Sequence, residues 1–581
     1  MKTLSLVYSF FSEGGLLMTK TKAVRRISTI LLSSLLLLAA GCGGQEAASN
    51  NQDDPNDTSP LTLTYFSGEG SANWNNMQDD IGKEVTKKTG VTVDAEFAVN
   101  GSGKDKIALM IASGDYPDMI YPKDDVGKLV DAGALIDLTD LIDQYGPNIK
   151  KVYGEYFNRI KYSLDDPAIY TIPTNMGVDS ITFDTVGGFE IQHQALEKLG
   201  YPKIRTVKDF ENALRTYKEK YPTTNGQPTI PLSLDADDWK IMITVTNPAV
   251  QTTGAPNDGE YYIDPETHEA ILHYRRPEER EYFRWLNHMY NEGLLDPETF
   301  VQKSDQYKSK IASGRVIGLI DQKWNYQDAE NALKAAGKSE YTYAHFPVTL
   351  SEEYDDPSFQ SIGFDTAYGI GISVDNKNPI RTIKFLDYLA SEEGQILRNW
   401  GIEGKHYNIE NGKRVIPPDV QERKNNDNIN FQKESGIGLY WSWGPHYGDG
   451  IKDSTGNYYT TLYPEMITAN YSEAEKKSLK AYNITMWKDL FKTEEDFPVK
   501  KWGAAYNMPV PTNTDYNVIY QKSQDIVRKR IPEAILAPKN QFDAIYDTML
   551  KEFDEAGVPE AEKTYTQLIK NRLELWYGDS K

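Results

Sequence analysis

Lys106-Ile107-Ala108-Leu109-Met110-Ile111-Ala112-Ser113-Gly114-Asp115-Tyr116-Pro117-Asp118-Met119-Ile120-Tyr121 is the stretch whose reading decides the fold. Ile107, Met110 and Ile111 recur at helical spacing, Gly114 is a helix stop, and the residues after Pro117 form a short apolar strand. The pattern extends outward on both sides. Upstream, Leu61-Thr62-Leu63-Thr64-Tyr65-Phe66 alternates and is rich in β-formers, so it reads as a strand. A helical stretch follows to about Lys88, then a second strand over 91–98. Downstream, 126–133 and 138–145 read as helices. Strands alternating with helices predict an α/β fold whose sheet is mostly parallel and flanked by helices.

Further segments carry a resemblance. The quoted stretch is similar to the Ala-Ser-Gly-Asp-x-Pro-Asp segment of family 1 extracellular solute-binding proteins, the capture components of ABC sugar importers. Asp131-Ala132-Gly133-Ala134-Leu135-Ile136-Asp137-Leu138 resembles the helix and turn that follow it there. Ala168-Ile169-Tyr170-Thr171-Ile172-Pro173 resembles the first crossing between lobes. Leu196-Glu197-Lys198-Leu199-Gly200 and Thr206-Val207-Lys208-Asp209-Phe210 resemble the start of the second lobe. Tyr290-Asn291-Glu292-Gly293-Leu294-Leu295-Asp296-Pro297-Glu298, and 383–395 with Gly401-Ile402-Glu403-Gly404-Lys405-His406-Tyr407, match the large LplA/LipO-like lipoprotein branch of Gram-positive bacteria. The resemblance runs in order from about Leu61 to the C-terminus. It implies a two-lobed, periplasmic-binding-protein-like clamshell of type II. Residues 61–175 would build the first part of lobe 1 and 176–365 the main part of lobe 2. Residues 366–430 would return to lobe 1, and 431–581 would supply the remaining cleft loops and C-terminal helices. It also implies a carbohydrate ligand, an oligosaccharide by expectation, and the transmembrane subunits of an ABC permease as partner. Two segments depart from the family. Gln192 to Ala195 stand where Arg-Asp-Trp is common, and the loop around Asn225-Gly226 has no carboxylate where alginate-binding relatives carry a calcium loop. Calcium takes about six or more oxygen ligands, so no calcium is expected there.

The N-terminal segment sets location. Lys20, Lys22, Arg25 and Arg26 precede an apolar, leucine-rich run over 27–40, and Ala40-Gly41 supply small residues before Cys42. This is a secretory signal over 1–41, with translation expected to start at Met18. The run is shorter than the about 20 apolar residues of a spanning helix. Leu38-Ala39-Ala40-Gly41-Cys42 resembles a lipobox, which implies a diacylglycerol on Cys42 and membrane attachment at the extracytoplasmic face. Cys42 is the only cysteine, so its thiol is free for that use. Residues 42–60 lack packable apolar side chains and read as a flexible tether. The chain carries a formal charge of −22, and cleavage would remove five basic residues against one acid. So acidic a surface excludes nucleic acid and disfavours anionic lipid as partners.

No H-E-x-x-H, G-x-S-x-G or phosphate-loop motif occurs, the His residues are scattered, and neither a cofactor nor a metal nor a catalytic residue is expected. Binding candidates follow from topology, because ligands of open α/β sheets meet the loops at the carboxyl ends of strands. These loops hold Glu69 and Trp74, Tyr121, Trp239, Asp321 with Trp324, and Asp365. Tyr440-Trp441-Ser442-Trp443-Gly444 is the densest aromatic cluster. Read as an extended segment, it puts Trp441 and Trp443 on one face, a platform for adjacent sugar units, with Tyr440 beside them. Trp285, Trp400, Trp487 and Trp576 read as structural. A polysaccharide-degrading enzyme and a ligand-sensing partner of a membrane receptor are the alternative readings.

Overall fold

A computed structural model describes residues 54–578 except 55, 72, 100, 101 and 513. Cys42, the signal segment and most of the tether lie outside the described residues. None of the described helices is long and apolar enough to cross a membrane.

The first sheet runs in the order Val91–Phe97, Leu61–Ser67, Met119–Tyr121, Gly369–Ile372, Ile172–Pro173, and Leu61–Ser67 is one of its two longest strands. Val91–Phe97 and Met119–Tyr121 flank that strand, both parallel. Gly369–Ile372 then pairs antiparallel with Met119–Tyr121 and with Ile172–Pro173. The alternation of Leu61–Ser67 is used as written: Leu63 and Tyr65 enter one core, while Thr62 and Thr64 stay exposed. Phe66 turns to the opposite face, against Ile107 and Met110 of helix Gly103–Ser113. That helix ends at Gly114, whose φ of 68° is the left-handed conformation that glycine adopts without a Cβ clash.

The second sheet runs in the order Tyr343–Phe346, Gly187–Gln192, Val316–Gln322, Ile230–Ser233. Val316–Gln322 is parallel to Ile230–Ser233 and antiparallel to Gly187–Gln192. In each sheet all strands but one run the same way, as the mostly parallel reading expects; the reversed strand is Gly369–Ile372 in the first sheet and Gly187–Gln192 in the second. The reason is the connection between lobes. A strand reached through a helix enters its sheet from the far side. Gly187–Gln192 and Gly369–Ile372, reached directly from the other lobe, enter from the side where the lobes meet. Helices Asp515–Leu536, Phe542–Ala556 and Val558–Tyr577 cover the second sheet's larger core, which joins Phe189, Leu232 and Trp285 to Ile531, Phe553 and Ile569. Asn287 donates to the carbonyls of Ala534, Ile535 and Ala537, so the buried end of the first of these helices is not left unpaired. Trp285, Trp400, Trp487 and Trp576 are all buried.

Three connections lie between the two sheets. Residues 174–186 lead from Pro173 to Gly187, and 347–368 return. A later segment runs beside the first: Gly448 N–H donates to the Val178 carbonyl, and Ile181 N–H to that of Asp449. Gly177 and Gly448 allow this approach, since a Cβ on Gly177 would collide with the Gly448 backbone. Arg159 fastens the returning connection, donating to the carbonyls of Ile362 (3.0 Å) and Phe364 (2.8 Å) and to the Tyr577 hydroxyl (2.6 Å).

Candidate functional site

The carboxyl edge of the second sheet is built on two buried acids. Asp321, at the end of Val316–Gln322, accepts hydrogen bonds from the Tyr307 hydroxyl (2.8 Å) and Asn325 Nδ2 (2.9 Å). Burial pushes its carboxyl up to about 6, against the pull of those donors. Asp235, beyond Ile230–Ser233, accepts from Ser304 Oγ (3.1 Å) and shares Asn325 Nδ2 (3.3 Å). These bonds lock the two loops together. From them project Trp239, 43% exposed, and Trp324, 55% exposed, with ring centroids 5.8 Å apart and planes within 17°. Trp324 sits in the first turn of helix Lys323–Ala335, and the Lys323 N–H donates to the Val186 carbonyl (2.8 Å). The indole pair is thus fixed to the connection leaving the first sheet. Trp239 follows Asp238, which has φ of 51° and whose carbonyl accepts from Arg528 (2.9 Å). Two large indoles held in parallel and left half in water form an apolar patch of the kind that marks a binding surface.

The first sheet presents a second aromatic group. Tyr121 is buried; its hydroxyl donates to Asn175 Oδ1 (3.3 Å), and its ring stands edge-on to Tyr368 at 6.4 Å. Lys123 lies 5.1 Å above the Tyr368 ring and 3.7 Å from Glu69. Both Lys123 and Tyr368 have left-handed backbones, with φ of 54° and 51°. Asp365, at the end of the returning connection, is buried and accepts from the Tyr506 hydroxyl (2.7 Å) and Asn507 Nδ2 (2.6 Å). Tyr506 itself is 45% exposed. Lys123, Tyr368 and Tyr506 were not singled out from sequence. Neither the left-handed backbones at the first two nor the long-range bond to Asp365 has a local sequence signature.

The Tyr440–Gly444 cluster is not the extended platform that its spacing suggests. The Trp443 N–H bonds the Tyr440 carbonyl (3.2 Å), so the segment is a turn. Residues two apart then point to different sides. Trp441 faces solvent, but Trp443 is 3% exposed and stacks on Trp74 at 4.6 Å with planes 12° apart. Tyr440 is buried, its hydroxyl bonding Asp79 Oδ2 (2.8 Å). Asp79 in turn caps helix Asp80–Thr89 through the Gly82 N–H (2.7 Å). The turn is organised from beneath by buried Arg398, which donates to the carbonyls of Tyr440, Trp441, Gly444 and Pro445. Tyr440, Trp443 and half-buried Trp74 belong to the core of the first sheet. Of the sequence candidates, Asp321, Trp239 and Trp324 come together at one edge, with Tyr121 on the other sheet.

The loop around Asn225 is a two-residue hairpin in which Thr224 pairs with Gln227, and Asn225 and Gly226 have φ of 52° and 76°. Positive φ at both central residues is what a type I′ turn requires, and Asn-Gly supplies it. Asn225 Nδ2 donates to the Ser313 carbonyl (3.1 Å). Among the described residues no group of three or more His, Cys, Asp or Glu side chains is arranged to hold a metal ion.

Comparison with known proteins agrees with this architecture. Residues 71–396 match the family model for bacterial extracellular solute-binding proteins. Lipoprotein LipO of Bacillus subtilis is 22% identical over 348 residues, 57% of this chain and 64% of that protein. The fructooligosaccharide ABC transporter substrate-binding protein FusA of Streptococcus pneumoniae is 26% identical over 349 residues, 56% and 61%. The matched regions thus span somewhat under two thirds of these relatives. Among solved structures, an HMO-binding ABC-transporter-associated solute-binding protein from Bifidobacterium longum infantis superposes with a TM-score of 0.64 at 15% identity, covering 88% of this chain and 99% of that one. The fold is the two-lobed clamshell of type II periplasmic-binding proteins. With the family model matched over more than half its length, the chain belongs to the bacterial extracellular solute-binding proteins.

Proposed function

We propose that this protein captures a carbohydrate, an oligosaccharide, between its two lobes and delivers it to the membrane subunits of an ABC importer, held at the extracytoplasmic face by a lipid on Cys42. The observation that carries the reading is the half-exposed Trp239–Trp324 pair at the carboxyl edge of the second sheet. Sugar rings pack their C–H faces on aromatic rings, and indoles supply large, rigid faces for this. A sandwich of a sugar between two rings needs van der Waals contact of about 3.5–4 Å on each side, hence about 7–8 Å between them. At 5.8 Å the pair is closed to a guest, so the sugar stacks on an outer face. Membership in the solute-binding family, and the saccharide-binding roles that FusA and the HMO-binding protein carry in their names, support saccharide transport. Binding without hydrolysis is supported by Asp235 and Asp321, which are both buried and engaged with Tyr307, Asn325 and Ser304. Ligand that contacts both lobes stabilises the closed form, which is the form presented to a permease.

Calorimetric titration of oligosaccharides against the parent, Trp239→Ala and Trp324→Ala tests the proposal. Each loss of a stacking partner is expected to weaken binding by about 0.5–1.5 kcal/mol, or roughly two- to twelve-fold, with the fold retained. Parental affinity in both variants would remove the pair from the site. Chromatography of the incubated ligand should show no product; turnover that survives repurification would make the protein an enzyme.

A further inference from the structure

The charged groups at the two edges bear on which saccharides can enter, a question that rests on the carbohydrate reading above. The edge segments 68–74, 121–124, 235–240, 321–324, 365–368 and 505–507 contain seven carboxylates but only three basic residues, Lys123, Lys240 and Lys323. Two of the three, Lys123 and Lys240, are ion-paired, and Lys323 lies among carboxylates. Lys123 lies 3.7 Å from Glu69. Lys240 lies 3.5 Å from buried Asp235 and donates to Ser304 Oγ (2.5 Å). Lys323 is opposed by burial, yet the carboxylates of Glu330, Glu475, Asp184 and Glu190 hold its ammonium above the usual lysine range. Of the cations reaching these loops from elsewhere, Lys303 pairs with Asp237 at 2.9 Å and Arg528 with Asp238 at 3.7 Å, while buried Arg572 is taken up by the carbonyls of Trp502, Ala504 and Asn507.

From this pairing we infer that the cleft selects uncharged saccharides and rejects those bearing carboxylate or sulfate groups. A ligand anion would have to take a cation from its carboxylate and would leave that carboxylate beside a second negative charge. A neutral sugar meets no such conflict. Its hydroxyls donate to carboxylate oxygens and accept from ammonium groups while the pairs stay intact.

The test is a binding panel on the intact lipid-free body, pairing neutral fructo-, gluco-, xylo- and galacto-oligosaccharides with uronate-bearing or sulfated chains of the same backbone. Some neutral chains should bind, and adding one acidic group to a bound chain should cost about ten-fold or more, as expected for a like charge placed in a partly desolvated site. An acidic chain that binds as tightly as its neutral parent overturns the inference and leaves the carbohydrate reading standing. If no saccharide of either kind binds, that reading fails and the inference fails with it. Glu69→Gln, which releases Lys123 from its carboxylate, should narrow the gap between neutral and acidic chains. An unchanged gap, with the melting temperature also unchanged, would refute the electrostatic origin of the selection.

Discussion

Trp443→Ala and Trp441→Ala, two residues apart in one aromatic cluster, should have opposite consequences. Trp443 is 3% exposed and contacts three rings: Trp74 at 4.6 Å, Tyr65 at 4.8 Å and Tyr440 at 5.8 Å. Truncating a buried Trp to Ala costs about 3–5 kcal/mol, part transfer and part cavity. The neighbours limit collapse into the space. Tyr440 is tied to Asp79, and the turn is held by Arg398, so the upper half of that range, about 4–5 kcal/mol, is expected. Trp441 is 47% exposed, and its removal should stay within about 1 kcal/mol. In urea, at a slope of about 3 kcal/mol per molar, the midpoint for the first lobe would fall by about 1.5 M in Trp443→Ala and by at most about 0.3 M in Trp441→Ala. Near-ultraviolet circular dichroism should also lose the signal of the Trp74–Trp443 stack in the first variant alone. Equal midpoints for the two variants would refute the buried assignment. So would a fully stable Trp443→Ala that had lost only saccharide affinity, because Trp443 would then be a ligand platform.

Cys42→Ser should abolish incorporation of labelled diacylglycerol and release the protein or leave it unprocessed; continued lipidation would refute the anchor. A chelator should leave the melting temperature unchanged, because the Asn225-Gly226 hairpin closes through backbone pairing and an Asn225–Ser313 bond; a large drop would reveal a metal site. Asp543 accepts a bidentate bond from Arg284 (2.7 and 2.8 Å) and another from Arg280 (2.5 Å), and these hold its carboxyl down at about 2. An unfolded Asp titrates near about 3.9, so this contribution is present above about pH 4 and is lost as pH falls through about 2. Asp543→Asn should therefore lower stability at neutral pH and flatten the acid limb of the stability curve. The side chain is 53% exposed, so solvent screening confines the effect to about 1 kcal/mol. A variant with the parental acid profile would refute the role of this ion-pair cluster.

The sequence by itself determined the class of fold and the order of its segments. Helix Gly103–Ser113 with its Gly114 stop, the alternating strand Leu61–Ser67 and the short strand before Pro122 were all legible, because local periodicity and glycine conformation are encoded residue by residue. The position of Trp239, Asp321 and Trp324 at or just beyond the carboxyl ends of strands was legible too, since topology alone gives it. Tertiary structure decided three things. Each mostly parallel sheet takes in one reversed strand because that strand arrives directly from the opposite lobe, and the pattern within one segment carries no record of that. Trp441 and Trp443 part company because Arg398, some forty residues earlier in the chain, gathers the carbonyls of their turn. Trp239 and Trp324 meet because Asn325 bridges Asp235 to Asp321 across the sheet edge. An indole looks the same in sequence whether buried or displayed; only the long-range bonds of its neighbours determine which face meets water.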